Sequence, residues 1–458
     1  MTFRAAGPSG NSHPIARAPM MIRSSLASIG LKIAGAALWL LLNVTLANLM
    51  PVEEFGQVSF AITLVILFGT ASCFGFAQIL MRDGSLAMVV NRPRQFIAIL
   101  SKGRWAVLAM SGLITTAALA ASFGGQHVSA LNDKFIFGCV FVATPFYGFL
   151  ILHREGARAF GRVVGSLISF NILRPSLPLL GVLGAMLFFT PSAHLAMAAW
   201  TAGLIVIFLF DISRLYPAAW SIRAAASGTT RIGKAFVFWI GELSNLLLLQ
   251  GPVILAGILL DLESAALLYA CHRLASLALF GIDGIRIAIA PDIARAANAT
   301  DQATSKRTLA NVSAAWLVSG LIFSVPVFLL APFLLSAFGD DFRQAVPALL
   351  IMTAARLVQA LMGPTGPVMI YGNLEVSRAI FTSAACIAQL IGAVMFGTVW
   401  GVNGIAAAMC LSVIGLEVAS VLEVRRAKGL WIGAPAVFGN PASLASLAHI
   451  MSRFRKRG

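Results

Sequence analysis

Charge is scarce in this chain of 458 residues: only 11% of them are Asp, Glu, Lys or Arg, and the acids number 17. A water-soluble domain carries roughly 25% charged residues, so a soluble globular protein is excluded. Cysteine is also sparse, at five positions (Cys73, Cys139, Cys271, Cys386 and Cys410), all inside apolar runs. None has metal-ligand spacing, so neither a disulfide framework nor a metal centre is expected, and the thiols read as small buried hydrophobes. The HExxH and GxSxG patterns are absent. "GTTRIGKA", residues 228–235, approaches a phosphate loop but has Ala235 where the Mg²⁺-binding hydroxyl belongs, and it joins two apolar runs. No nucleotide and no other cofactor is therefore expected. The longest acidic-side connection, about 124–134, holds one histidine and one carboxylate, too little for the catalytic loop of a membrane enzyme.

What is abundant is apolar length, since 59% of the residues are hydrophobic. Runs of about 20 apolar residues, enough to cross hydrocarbon, recur from residue 26 to residue 424. Proline, glycine and charge clusters divide them into about twelve helices near 26–49, 57–81, 104–123, 135–152, 163–189, 193–213, 235–260, 265–290, 309–335, 344–364, 378–399 and 402–423. The fold class is an all-α membrane protein. The connections alternate in charge, for Arg82, Arg92, Arg94, Lys102 and Arg104 follow the second span whereas Glu53 and Glu54 follow the first. Summed over the chain, one side collects 26 of the 33 Lys and Arg and the other side two. The positive-inside rule then places both termini in the cytoplasm. The net charge of +16 records topology rather than nucleic-acid binding.

Residues 46–83 slide onto 255–292 without a gap, matching Leu46, Ala47, Glu54, Ala61, Gly75 and Asp83 to Leu255, Ala256, Glu263, Ala270, Gly284 and Asp292. Both copies enter from the same side. The halves are thus parallel repeats: six-helix lobes at 26–213 and 235–424, around a central cavity. A disordered segment (1–25), a linker (214–234) and a basic tail (425–458) complete the division.

Three stretches also carry a resemblance. "LANLMPVEEFGQVSFA", followed by a Gly-containing span ending in "ILMRDGS", resembles the opening of the bacterial polysaccharide flippases of the multidrug/oligosaccharidyl-lipid/polysaccharide (MOP) exporter superfamily. "GPVILAGILLDLESAALLYACHRLASLALFGIDGIRIAIAPDIAR" is similar to that family's seventh and eighth helices, and "GTVWGVNGIAAAMCLSVIGLEV" to its last pair. Over roughly residues 24–426 the resemblance implies two lobes that open in turn to either side. It also implies movement of an isoprenoid-diphosphate-linked oligosaccharide, with membrane lipids and a polysaccharide polymerase machinery as partners.

Cations inside the spans then become informative, because charge at mid-bilayer depth normally faces a protein interior or a watery cavity. Arg174, Arg273 and Arg356 lie near mid-depth, with Lys32 and Arg286 nearer the basic side; the acids Asp211, Glu242, Asp283 and Glu417 all lie toward that side. Arg273 and Arg356 lack an evident partner on their own helix and are expected to hold the diphosphate, with Arg174 and Lys32 as secondary cations. Arg174 precedes Pro175, so service to a broken helix is an equal reading. Glu242, Asp283 and Arg286 are expected to gate or to pair: Asp283 with Arg286, and Glu242 with Lys32. Asp211 and Glu417 are expected to neutralise nearby arginines, and His272 to be packed. Two other readings stay open, a cation-coupled drug exporter of the same superfamily and a membrane-embedded polysaccharide polymerase or ligase.

Overall fold

The computed structural model describes residues 18–123, 133–215, 232–298 and 301–439. Most of the expected disordered segment, most of the linker and the end of the basic tail lie outside the described residues. In hydrocarbon a backbone amide has no partner but its own helix, so each apolar run closes into one. Among the described residues, ten helices are long and apolar enough to cross a membrane. One of them, Glu375–Lys428, holds two spans folded back at Gly401 (φ 56°, ψ −133°), which places a left-handed residue at the turn. An eighth span is assembled from Leu262–Leu277 and Leu279–Asn298, so the expected twelve are present.

Several helices outrun their expected ends. The first starts at Ala18, inside the segment expected to be disordered, the third at Pro93, and the fourth runs Lys134–Ala159. This last extension converts Arg154 from a loop residue into a helical one. Each overrun lies at the basic side, where polar side chains continue the helix into the headgroup layer.

The two halves use the same neighbours. The second span packs on the fourth and the fourth on the sixth, as the eighth packs on the tenth and the tenth on the twelfth. Between the halves, the second span lies against the seventh and against the first part of the eighth. At the acidic end this seam is tight. Phe55 inserts among Tyr269, Phe338 and Phe342, with ring centroids 5.8–6.5 Å away. A Cβ on Gly56 would stand 1.9 Å from the Leu262 carbonyl oxygen, and Asn48 donates to the Ala337 carbonyl at 2.8 Å.

Two breaks position side chains. The second span ends its first helix at Ser72 and passes through Phe74 (φ 44°) and Gly75 (φ 74°) before continuing. The fifth widens into a π-helical turn, Ile168–Leu173, directly before Arg174 and Pro175. Pro175 cannot donate to the carbonyl four residues earlier and its ring crowds that oxygen, which is a sufficient cause for the wider turn.

At the acidic end Asp133 caps the fourth span, accepting from the backbone N–H of Phe135 (2.9 Å) and Ile136 (3.2 Å) and meeting His194 Nε2 at 2.6 Å. Burial pushes the Asp133 carboxyl up, but the Ile136 N–H, His194 and the Phe135 N–H outweigh it and hold the group below its ordinary value of 3.8. A carboxyl depressed by folding contributes stability above its unfolded value and loses it as pH falls through the folded value. Asp133→Ala is therefore expected to lower stability by about 1 kcal/mol at pH 7. In thermal melts that difference should fade on acidification below the ordinary carboxylate range; a difference that persists there would contradict the cap.

Candidate functional site

Trp39, Arg174 and Arg273 share one depth. Arg174 stands 11 residues from the acidic-end terminus of its helix at Ala185, Arg273 stands 11 from the start of its helix at Leu262, and Trp39 stands 10 from Leu49. At 1.5 Å per residue this is about 15–16 Å, half of the hydrocarbon thickness. The three come from the first, fifth and eighth spans, and so from both lobes.

There they meet. The guanidinium carbons of Arg174 and Arg273 lie 4.8 and 5.0 Å from the Trp39 ring centroid. Arg174 also covers Phe170 at 4.1 Å and donates to the Tyr147 hydroxyl at 3.1 Å. Arg273 covers Tyr269 at 4.6 Å and donates to its hydroxyl at 3.1 Å. Among the described residues neither arginine has a carboxylate within 4.0 Å, in a structure whose other ion pairs are clear. Stacking on rings is a weak substitute for a counter-ion, contributing about 0.5–2 kcal/mol each. Both side chains are only half-buried.

Unpartnered donors collect at the same level. Arg174 Nε, Arg273 Nε and Trp39 Nε1 are buried with no hydrogen-bond partner, as is His272 Nδ1. Buried polar atoms are nearly always satisfied, and three N–H donors left open around one ring form a place for an acceptor. The Trp39 turn is itself braced, since Asn43 donates to the Trp39 carbonyl at 2.6 Å.

Arg356 does not join them, although it lies 10 residues from Val346 at the same depth. It is 1% exposed and points into the second lobe. Its Nη1 donates to Gln359 Oε1 at 2.8 Å, Gln359 Nε2 donates to Glu417 at 3.3 Å, Arg378 pairs with Glu417 at 3.6 Å, and the Thr365 hydroxyl donates to the same carboxylate. The expectation that Arg356 and Arg273 lack partners on their own helices is therefore corrected by Gln359 three residues on and Tyr269 four residues back. Glu417 pairs with an arginine as expected. Removing one member of a buried pair strands the other charge. Glu417→Ala is accordingly expected to cost about 3–5 kcal/mol, seen as a lowered melting temperature in detergent, with Glu417→Gln costing less. Equal melting of both variants and the parent would sink this account.

The remaining expected residues are placed as follows. Lys32 is half-buried, two turns toward the basic side of Trp39 and on the same helix face. Glu242 is exposed on the seventh span and lines a cleft together with Thr70, Cys73, Gln78 and Trp239. Asp211 is buried and accepts from Ser169 at 2.5 Å rather than meeting an arginine among the described residues. His272 is packed, at 6% exposure. Arg286 is exposed, and the Asp283 side chain expected to pair with it lies outside the described residues.

Four residues of the site are not among those the sequence singles out: Trp39, Tyr147, Phe170 and Tyr269. One signal was available. Phe170 and Arg174, like Tyr269 and Arg273, are an aromatic and an arginine four residues apart, a spacing that stacks them on one helix face.

With the geometry in view, the fold can be compared. It is similar to the folds of solved membrane transporters. A multidrug resistance MATE family transporter of the MOP superfamily, in an inward-facing conformation, is similar at a TM-score of 0.63 with 14% identity, over 88% of this chain and 98% of that one. Lipid II flippase MurJ, in an inward closed conformation, is similar at 0.64 with 14% identity, over 95% and 93%. An outward-facing MATE structure is similar at 0.60 with 15% identity, over 89% and 94%. No family model matches the sequence, and no curated protein does.

Proposed function

We propose that this protein is a flippase that moves an isoprenoid-diphosphate-linked oligosaccharide from the cytoplasmic to the periplasmic leaflet, in support of polysaccharide synthesis. The observation that carries the reading is the pair Arg174 and Arg273, half-buried at mid-depth, contributed by opposite lobes and without a carboxylate within 4.0 Å among the described residues. Such a site repels organic cations and attracts an anion. A lipid head crossing the bilayer bears its negative charge at the diphosphate, and guanidinium groups offer paired donors that fit phosphate oxygens. Those contacts offset the desolvation that otherwise forbids the crossing. The rings of Trp39, Phe170 and Tyr269 add flat apolar faces of the kind on which a sugar ring can rest. The similarity to both a lipid II flippase and drug transporters agrees with a transporter rather than an enzyme.

The drug-exporter reading fits less well. A carboxylate poised to receive an organic cation is missing at mid-depth among the described residues, and Glu417, nearer the basic side, is committed to Arg378, Gln359 and Thr365. With a cytoplasm-negative potential, outward movement of an anion is favoured by about 2.3 kcal/mol per charge per 100 mV, so the potential can drive the proposed step. The test is leaflet-resolved delivery of a labelled polyprenyl diphosphate sugar in proteoliposomes. The reading requires transport that quickens as an inside-negative potential is imposed on the donor side. Export of an organic cation with no movement of the lipid would replace it with the drug-exporter reading.

A further inference from the structure

We propose a second anion-binding station, at Arg154 and Phe170, between the basic end of the protein and the Arg174–Trp39–Arg273 clamp; it rests on the lipid-diphosphate reading above. The Arg154 guanidinium carbon lies 4.1 Å from the Phe170 ring centroid, and Arg174 lies 4.1 Å from the same ring. The arrangement at Trp39 is thus repeated one step toward the basic end, two guanidinium groups on one ring, with Arg174 common to both. Arg154 stands five residues from its helix end at Ala159, or about 7 Å of rise.

The two stations differ in one respect that gives them a direction. Arg154 is paired with Glu155 at 2.7 Å, and Glu155 is held in turn by Arg158 at 3.1 Å. Arg154 also interacts electrostatically with Glu242 of the opposite lobe. A compensated arginine holds an anion weakly; the uncompensated pair Arg174 and Arg273 holds it strongly. Binding therefore strengthens with depth, as the cost of desolvating the head rises. A phosphoryl group received at Arg154 is handed inward by Arg174 without passing through a site free of cations. Arg154 remains 26% exposed, so it is reachable before the head enters.

The experiment is a split of KM from kcat in the proteoliposome assay, with a fluorescent polyprenyl diphosphate as probe. Arg154→Ala is expected to raise KM about tenfold while kcat stays within about twofold. Glu155→Gln, which frees Arg154, is expected to lower KM and kcat together by about three- to tenfold, because the head is then retained at the first station. Arg94→Ala removes an exposed cation at the same end and should change neither by more than about twofold. A wild-type KM for Arg154→Ala, or a shift no larger than that of Arg94→Ala, overturns the station. If the double variant of Arg174 and Arg273 is slow while Arg154→Ala keeps its KM, the station alone falls. If the parent protein moves no lipid diphosphate, both readings fall.

Discussion

Replacing Arg174 and Arg273 together by alanine is expected to slow delivery of a lipid diphosphate at least about hundredfold, with the protein still folded. A hydrogen bond to a charged group contributes about 1.5–3 kcal/mol, and the two side chains each offer one or more to the head at the point of greatest desolvation. Two such losses sum to about 3–6 kcal/mol, a factor of roughly 10² to 10⁴. Folding is spared because neither arginine belongs to a carboxylate pair, so removing it strands no buried acid among the described residues. Lysine at both positions keeps the charge but loses the planar fork and its stacking on Trp39, and should fall between the parent and the alanine variant. Leucine at Trp39 removes the ring that holds both guanidinium groups at one level and should also slow transport. Parent-like rates in the double alanine variant, with an unchanged melting temperature, would remove the site from the transport path.

Gly56→Val is expected to part the two lobes at their acidic end. The Leu262 carbonyl oxygen occupies the space of a Cβ on residue 56, and a backbone atom cannot turn aside as a side-chain tip can. Overpacking ordinarily costs about 1–3 kcal/mol. Here the strain falls only on the state in which the acidic-end seam is shut, so the balance shifts by about tenfold to hundredfold toward the state open at that end. Spin labels placed at positions 48 and 337, where Asn48 now donates to the Ala337 carbonyl, should report a longer distance. Transport should fall, because the return to the state open at the basic end becomes rare. An unchanged distance distribution would mean that the seam is not a moving part.

The arginines show how far the sequence alone could go. Position along the helix was legible: Arg174, Arg273 and Arg356 each stand 10 or 11 residues from the acidic end of their helices, and rise per residue converts that count into depth. Rotation was not. Arg356 faces Gln359 and Glu417 inside one lobe while Arg273 faces Trp39 between the lobes. Beside Pro175 the sequence makes Arg174 a secondary cation, yet the π-helical turn before it coincides with its aim at Trp39. An extra residue in one turn rotates all that follows by roughly 100°, and the sequence records the proline without recording how the turn adapts.

The alternation of apolar runs with charged connections, taken by itself, determined an all-helical chain of about twelve spans. That much is local, because a helix in hydrocarbon satisfies its own backbone and needs only length and apolar side chains. Which cations come together was decided by the tertiary structure. Trp39, Arg174 and Arg273 belong to three spans separated by more than 200 residues of chain between the first and the last. Their meeting depends on how two lobes pack across a glycine-lined seam, and packing is a property of surfaces that no single span carries.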